Sequence, residues 1–116
     1  MYQAGLHLIC DCLSKETAQL SDYRTCQILL NQLIESEGLS KIGEVYHNFP
    51  LGGFTGVVCL AESHISIHTW PEFGRITFDV FLSNYQQVNN QIAHHIYAKL
   101  IELFNANVIA SHEINR

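Results

Sequence analysis

Polar and apolar residues alternate through Ser63–Trp70, with Ile65 and Ile67 on one side of an extended chain and His64, Ser66 and His68 on the other. That period of two is the signature of a β-strand, and Pro71, which lacks a backbone donor, closes it. Weaker alternation predicts further strands at Leu6–Leu13, Lys41–Phe49 and Arg75–Leu82. Phe54–Ala61 ends in an unbroken apolar run, Val57-Val58-Cys59-Leu60-Ala61, which predicts a strand buried on both faces. Helical spacing of Tyr23, Cys26, Leu30, Leu33 and Ile34 predicts a helix capped by Ser21 or Asp22 and ended by Gly38. A second helix is expected from about Tyr85 to Phe104, with Val88, Ile92, Ile96, Leu100 and Leu103 on one stripe. Turns fall at Pro50–Gly53 and Glu72–Gly74, and after Asn105 and Asn107 break the helix, Val108–His112 can add a last strand.

The order is strand, helix, four strands, helix, strand. Two amphipathic helices can cover only one face of such a sheet, so the expected fold is an α+β two-layer sandwich with an antiparallel-rich sheet. The other face must be solvated or covered by a partner, which is compatible with a dimer. Polar alternation along Glu62–Trp70 means that this second face could carry a site.

Composition narrows the function classes. The 116 residues suit a single domain, residues 1–116, long enough for a real core. A net charge of -5, with six scattered basic residues, argues against a nucleic-acid partner, since neutralising phosphates takes clustered Lys and Arg. No apolar run approaches membrane-spanning length and no basic leader with an apolar core opens the chain, so no membrane partner and a cytoplasmic location are expected. The four cysteines, Cys10, Cys12, Cys26 and Cys59, follow no CxxC spacing. Cys10 and Cys12 would share a strand face, but neither a disulfide nor a metal is expected from them.

Residues 62–72, Glu-Ser-His-Ile-Ser-Ile-His-Thr-Trp-Pro-Glu, are too polar for a core strand and ask for a chemical role. A hydrolase triad on Ser63 would lack the Gly-x-Ser-x-Gly elbow. A metal held by His64 and His68 would need ligands roughly 13 Å apart on a strand to meet, so that pairing is not expected to bind an ion.

The segment resembles the bacterial and archaeal form of S-adenosylmethionine decarboxylase, a pyruvoyl enzyme, at Glu62-Ser63-His64 and at His68-Thr69-Trp70-Pro71-Glu72. The similarity extends to Gly5-x-His7-Leu8, His47-x-Phe49, Thr55-Gly56-Val57-Val58 and Asp79-x-Phe81, nearly the whole chain. It implies a proenzyme that cleaves itself between Glu62 and Ser63. Ser63 Oγ would attack the Glu62 carbonyl, exchanging an amide for an ester. Elimination and hydrolysis would then leave a pyruvoyl group capping residues 63–116. The bottom-up requirements agree: a serine in a tight strand connection, backbone strain beside it and a base. By resemblance, His68 removes the Ser63 α-proton and Thr55, where the family has serine, helps hold the cyclic intermediate. The pyruvoyl ketone would condense with the substrate α-amine and accept the electrons left as carbon dioxide departs, with no pyridoxal phosphate and no metal. Phe49 resembles the aromatic that stacks on adenine, and Glu72 the acid that receives the ribose hydroxyls. The family forms a homodimer of processed chains whose site takes residues from both.

The chain departs from the family at Ser83-Asn84, where a Cys-Gly pair is usual. That cysteine is thought to protonate the substrate carbon after decarboxylation. A serine hydroxyl is a weaker acid by several pKa units, so Ser83 would instead orient a water. Three readings follow: decarboxylation of S-adenosylmethionine for spermidine synthesis, pyruvoyl chemistry on arginine or ornithine, and a non-catalytic regulatory relative.

Overall fold

The structure is a computed structural model that describes residues 1–116. Six strands form one antiparallel sheet: β1 (Leu6–Leu13), β2 (Lys41–Asn48), β3 (Phe54–Leu60), β4 (Ser63–Trp70), β5 (Arg75–Leu82) and β6 (Asn107–Asn115). They lie in the order β2-β3-β4-β5-β1-β6, with β2 and β6 at the edges. Three helices accompany them, α1 (Thr17–Ser21), α2 (Arg24–Ser36) and α3 (Asn90–Leu103), and a 3-10 turn spans Pro71–Phe73. No helix is long and apolar enough to cross a membrane.

The core lies between the helices and one face of the sheet. Leu8, Cys10, Ile65, Ile67, Phe78 and Val80 are buried there, with Leu30, Ile96 and Leu100 from α2 and α3. Alternate residues of each strand turn the other way, so the open face carries His7, Asp11, His64, Ser66, His68 and Asp79. The two-layer α+β sandwich is the expected one.

Several expectations shift in instructive ways. β3 is buried on one face only: Val58 and Leu60 are inside, whereas Val57 is 40% exposed and Cys59 is exposed. Val57 and Cys59 fall on the side without helices, so an apolar run is no proof of two covered faces. The short helix α1 was not anticipated, because five residues with one buried side chain, Leu20, give no periodicity to read. It is held by Thr69, whose hydroxyl donates to the Leu20 carbonyl at 2.6 Å and accepts the Phe54 N–H at 2.8 Å. The N-cap of α2 is Tyr23 rather than Ser21 or Asp22, although Asp22, one residue earlier, accepts the Arg24 N–H at its Oδ1 at 3.0 Å, and Gly38 ends the helix at φ +70°.

The second expected helix starts at Asn90 rather than Tyr85. Asn84 Oδ1 accepts the Asn89 N–H and Asn89 Nδ2 donates to the Ser83 carbonyl. Such side-chain bonds offer the backbone an alternative to helix, and they win here. Val88, assigned to the apolar stripe, is consequently 67% exposed. β6 is longer than expected, and β2 stops at Asn48, leaving Phe49 in the turn where its N–H donates to the Gly53 carbonyl. Gly53 sits at φ +89°, and a side chain there would meet the Thr69 carbonyl at 2.8 Å, so glycine is required.

Candidate active site

Strand β4 carries the candidate residues at its two ends. At the first end, a two-residue connection from β3 makes a turn so tight that Glu62 adopts φ +56°. A non-glycine residue in that left-handed region is held at a cost of about 1–3 kcal/mol. The next residue, Ser63, begins the strand, and its Oγ accepts the N–H of Ser83 at 3.0 Å. Glu62, Ser63, Ser83 and Asn89 line a cleft of about 530 Å³.

At the second end, His68 and Thr55 face each other across the β3–β4 ladder, with Thr55 Oγ1 2.9 Å from His68 Nδ1. The bond fixes the imidazole's orientation and leaves Nε2 free. Thr55, His68, Phe49 and Glu72 line a second cleft of about 380 Å³, within the range of small-molecule sites. The Phe49 ring is 49% exposed, and His47 packs edge-on against it at 4.9 Å. The turn thus presents a half-exposed aromatic ring to the cleft.

The chain therefore brings Ser63 together with Ser83, and His68 with Thr55, Phe49 and Glu72, but it does not join these groups. Ser63 and His68 are five positions apart on one strand, roughly 16 Å at the usual rise, and on opposite faces.

Between the two ends lies a cluster that sequence reasoning did not find. Asp79 on β5 sits opposite Ser66 on β4. Its Oδ2 is 2.6 Å from His7 Nε2 and 2.9 Å from His64 Nε2, and Ser66 donates to its Oδ1. Burial alone would raise the Asp79 carboxyl, but the bonds from Ser66, His7 and His64 outweigh it and hold it below the usual carboxylate range. His7, His64 and Asp79 keep possible ligand atoms within 4.8 Å of one another, close enough for a metal ion. The Arg116 guanidinium, 3.4 Å from His7 Nδ1, opposes a cation there and leaves Nε2 as the protonated nitrogen that bonds Asp79. The cluster is a hydrogen-bonded hub. Its signal in the sequence was the shared parity of His64 and Ser66, but the partners on β1 and β5 need the strand register.

Three of the four thiols, Cys10, Cys12 and Cys26, are buried, whereas Cys59 is exposed. Burial pushes Cys12 and Cys26 up to about 12 and raises Cys10.

Residues 6–116 match the S-adenosylmethionine decarboxylase family. The S-adenosylmethionine decarboxylase proenzyme of Aquifex aeolicus is 43% identical over 77 residues, 66% of this chain and 57% of that protein. The Archaeoglobus fulgidus proenzyme is 35% identical over 77 residues, 66% of this chain and 69% of that one. The Thermoplasma acidophilum proenzyme is 30% identical over 112 residues, 97% of this chain and 82% of its own length. These matches span from just over half to about four-fifths of the relatives' lengths. The crystal structure of the Aquifex aeolicus adenosylmethionine decarboxylase superposes with a TM-score of 0.79 at 29% identity, covering 100% of this chain and 91% of that one.

Proposed function

We propose a function for this chain from one premise: it belongs to the S-adenosylmethionine decarboxylase family. It is a self-processing proenzyme that cleaves between Glu62 and Ser63, converts Ser63 to a pyruvoyl group and decarboxylates S-adenosylmethionine, making the aminopropyl donor for spermidine. The observation that carries this reading is the serine whose preceding residue sits at φ +56° and whose hydroxyl already has a backbone donor. A strained peptide beside a positioned Oγ favours attack on the Glu62 carbonyl, because the acyl shift relieves the strain.

The residues present fit the group, which supplies an electron sink for decarboxylation when formed. Phe49 offers a face for the adenine ring and, by the same quadrupole, for a sulfonium cation. Glu72 shares that cleft and can accept the two ribose hydroxyls. A nucleoside uses both contacts at once, its base on Phe49 and its ribose hydroxyls on Glu72, which favours it over arginine or ornithine.

The active form is a homodimer. His68, at the far end of β4, and Thr55, opposite it on β3, are too far to reach Ser63 of their own chain, so a second copy supplies them. Two chains packed open face to open face would cover Val45, Val57 and Ile114, which are exposed, and could bring the His68 end of one strand to the Ser63 end of the other. There His68 takes the Ser63 α-proton, and Ser83 orients a water toward the substrate carbon.

Intact-mass measurement on purified protein tests the reading. Fragments 1–62 and 63–116, the second with a blocked amino terminus, are expected. Carbon dioxide release from S-adenosylmethionine, but not from arginine or ornithine, should accompany them. A chain that stays whole and does not react with carbonyl reagents would overturn the proposal.

A further inference from the structure

The segment after β5 is held more firmly than a connection needs. Ser83 stands one residue past the strand, and its N–H leaves the ladder to donate to Ser63 Oγ at 3.0 Å. The same residue is anchored through its carbonyl, which accepts from Asn89 Nδ2 at 2.8 Å. Asn84, 6% exposed, uses both ends of its amide. Its Oδ1 accepts the Asn89 N–H at 2.7 Å, and its Nδ2 donates to the Ala4 carbonyl at 2.9 Å and to Asn90 Oδ1 at 2.8 Å. A buried amide satisfied in this way has one rotamer and fixes the backbone beside it.

We propose that the Ser83 backbone N–H is the hydrogen-bond donor to the leaving oxygen of self-cleavage, and that Asn84 and Asn89 are its positioning residues. The inference rests on the self-processing reading above. In the first step Ser63 Oγ bonds the Glu62 carbonyl carbon, the C–N bond breaks, and the hydroxyl proton passes to the Ser63 nitrogen. The Ser83 N–H occupies one Oγ lone pair, which restrains the side-chain torsion while another lone pair attacks. In the second step a base removes the Ser63 α-proton and the Cβ–Oγ bond breaks. Oγ leaves within the new Glu62 carboxylate, and water then replaces the dehydroalanine nitrogen, releasing ammonia and the ketone. Negative charge grows on Oγ only in this second step. A bond to an ionising oxygen is stronger than one to a hydroxyl, so the N–H stabilises the transition state more than the ground state. Ser83 fulfils this role through its backbone, whatever its side chain does for the substrate.

The test follows maturation of freshly made full-length chain, with and without hydroxylamine, which cleaves esters but not peptides under mild conditions. Asn89→Asp keeps the shape but removes the donor to the Ser83 carbonyl, and Asn89→Ala removes the side chain. Both should mature roughly tenfold or more slowly, a fraction of the 10²–10³ lost when a preorganised donor is removed outright. Both should also accumulate ester, so that hydroxylamine splits them at residue 62 and exposes a free amino-terminal serine. Replacing Ser83 by its α-hydroxy acid removes the N–H but makes the 82–83 linkage an ester that hydroxylamine also splits. This variant is therefore read by its rate of maturation without hydroxylamine, which should show a larger delay, and by hydroxylamine fragments ending at residue 62 as distinct from those ending at residue 82. A merely structural loss gives slow chains that hydroxylamine leaves uncut at residue 62, and that result overturns the proposal, as do Asn89 variants that mature at the wild-type rate. A wild-type chain that never cleaves would instead sink the self-processing reading itself.

Discussion

At its first residue β4 presents Ser63 to a backbone N–H, whereas at its sixth it presents His68 to the hydroxyl of Thr55. The first end is strained and polar, with Glu62 at φ +56° and a cleft lined by serines and amides. The second is relaxed and aromatic, with Phe49 and Trp70 on its cleft. Neither end holds Ser63 and the His68 imidazole together. A single chain thus carries a divided set of groups: under the proposed function, one end would break a peptide bond and the other would supply the base and receive the substrate.

The sharpest way to test that division is to disable the first end alone. Ser63→Ala should abolish cleavage and decarboxylation outright, leaving a chain of 116 residues by intact mass. Stability should change by only about 1 kcal/mol, since the half-exposed hydroxyl is lost from one hydrogen bond. Detectable fragments 1–62 and 63–116 from this variant would end the assignment of Ser63. His68→Ala should likewise stay whole. Co-expressing the two variants then breaks or sustains the comparison directly, because a mixed dimer can pair the serine of one chain with the histidine of the other. The expected outcome is cleavage of the His68→Ala chain in the mixture but in neither variant alone. No cleavage in verified mixed dimers would mean that each site is built within one chain.

Variants at the second cleft separate binding from maturation. Phe49→Ala removes a stacking face worth about 1–3 kcal/mol per base, so KM for S-adenosylmethionine should rise by roughly tenfold or more while cleavage at residue 62 proceeds normally. Glu72→Gln should also raise KM, more weakly. If either variant blocked maturation and left KM unchanged, the cleft would belong to processing and not to the substrate.

Much of this arrangement was legible in the chain, for physical reasons that also explain what was not. Ile65 and Ile67 against His64, Ser66 and His68 announced both the strand and its polar face, because side-chain alternation is a local property. The 62–72 segment carried the resemblance that pointed to Ser63 and His68. The Asp79 hub stayed hidden, since its members come from β1, β4 and β5 and meet only through strand register. The start of α3 was misjudged because Tyr85 and Val88 fit the helical stripe, whereas the side chains of Asn84 and Asn89 claim the backbone first. The two clefts could not be told apart in sequence either, as five residues look adjacent until a strand stretches them.

Asp79 lies between the two ends, and its titration asks whether they depend on a common support. Its folded carboxyl sits below the usual value because Ser66, His7 and His64 donate to the ionised form. The sign follows from linkage: a depressed folded pKa makes stability that is fully present above the unfolded value, near 3.9, and lost as pH falls through the folded one. Wild-type protein should therefore lose stability on acidification below about pH 4, and Asp79→Asn should flatten that part of the profile. At neutral pH Asp79→Asn should cost about 1–3 kcal/mol, because two ring N–H groups lose a charged acceptor. Thermal unfolding between pH 3 and 7 would measure both effects. If the hub supports the whole face, Asp79→Asn should slow maturation and raise KM by similar small factors. A change confined to one of them would show that the hub serves a single end of β4.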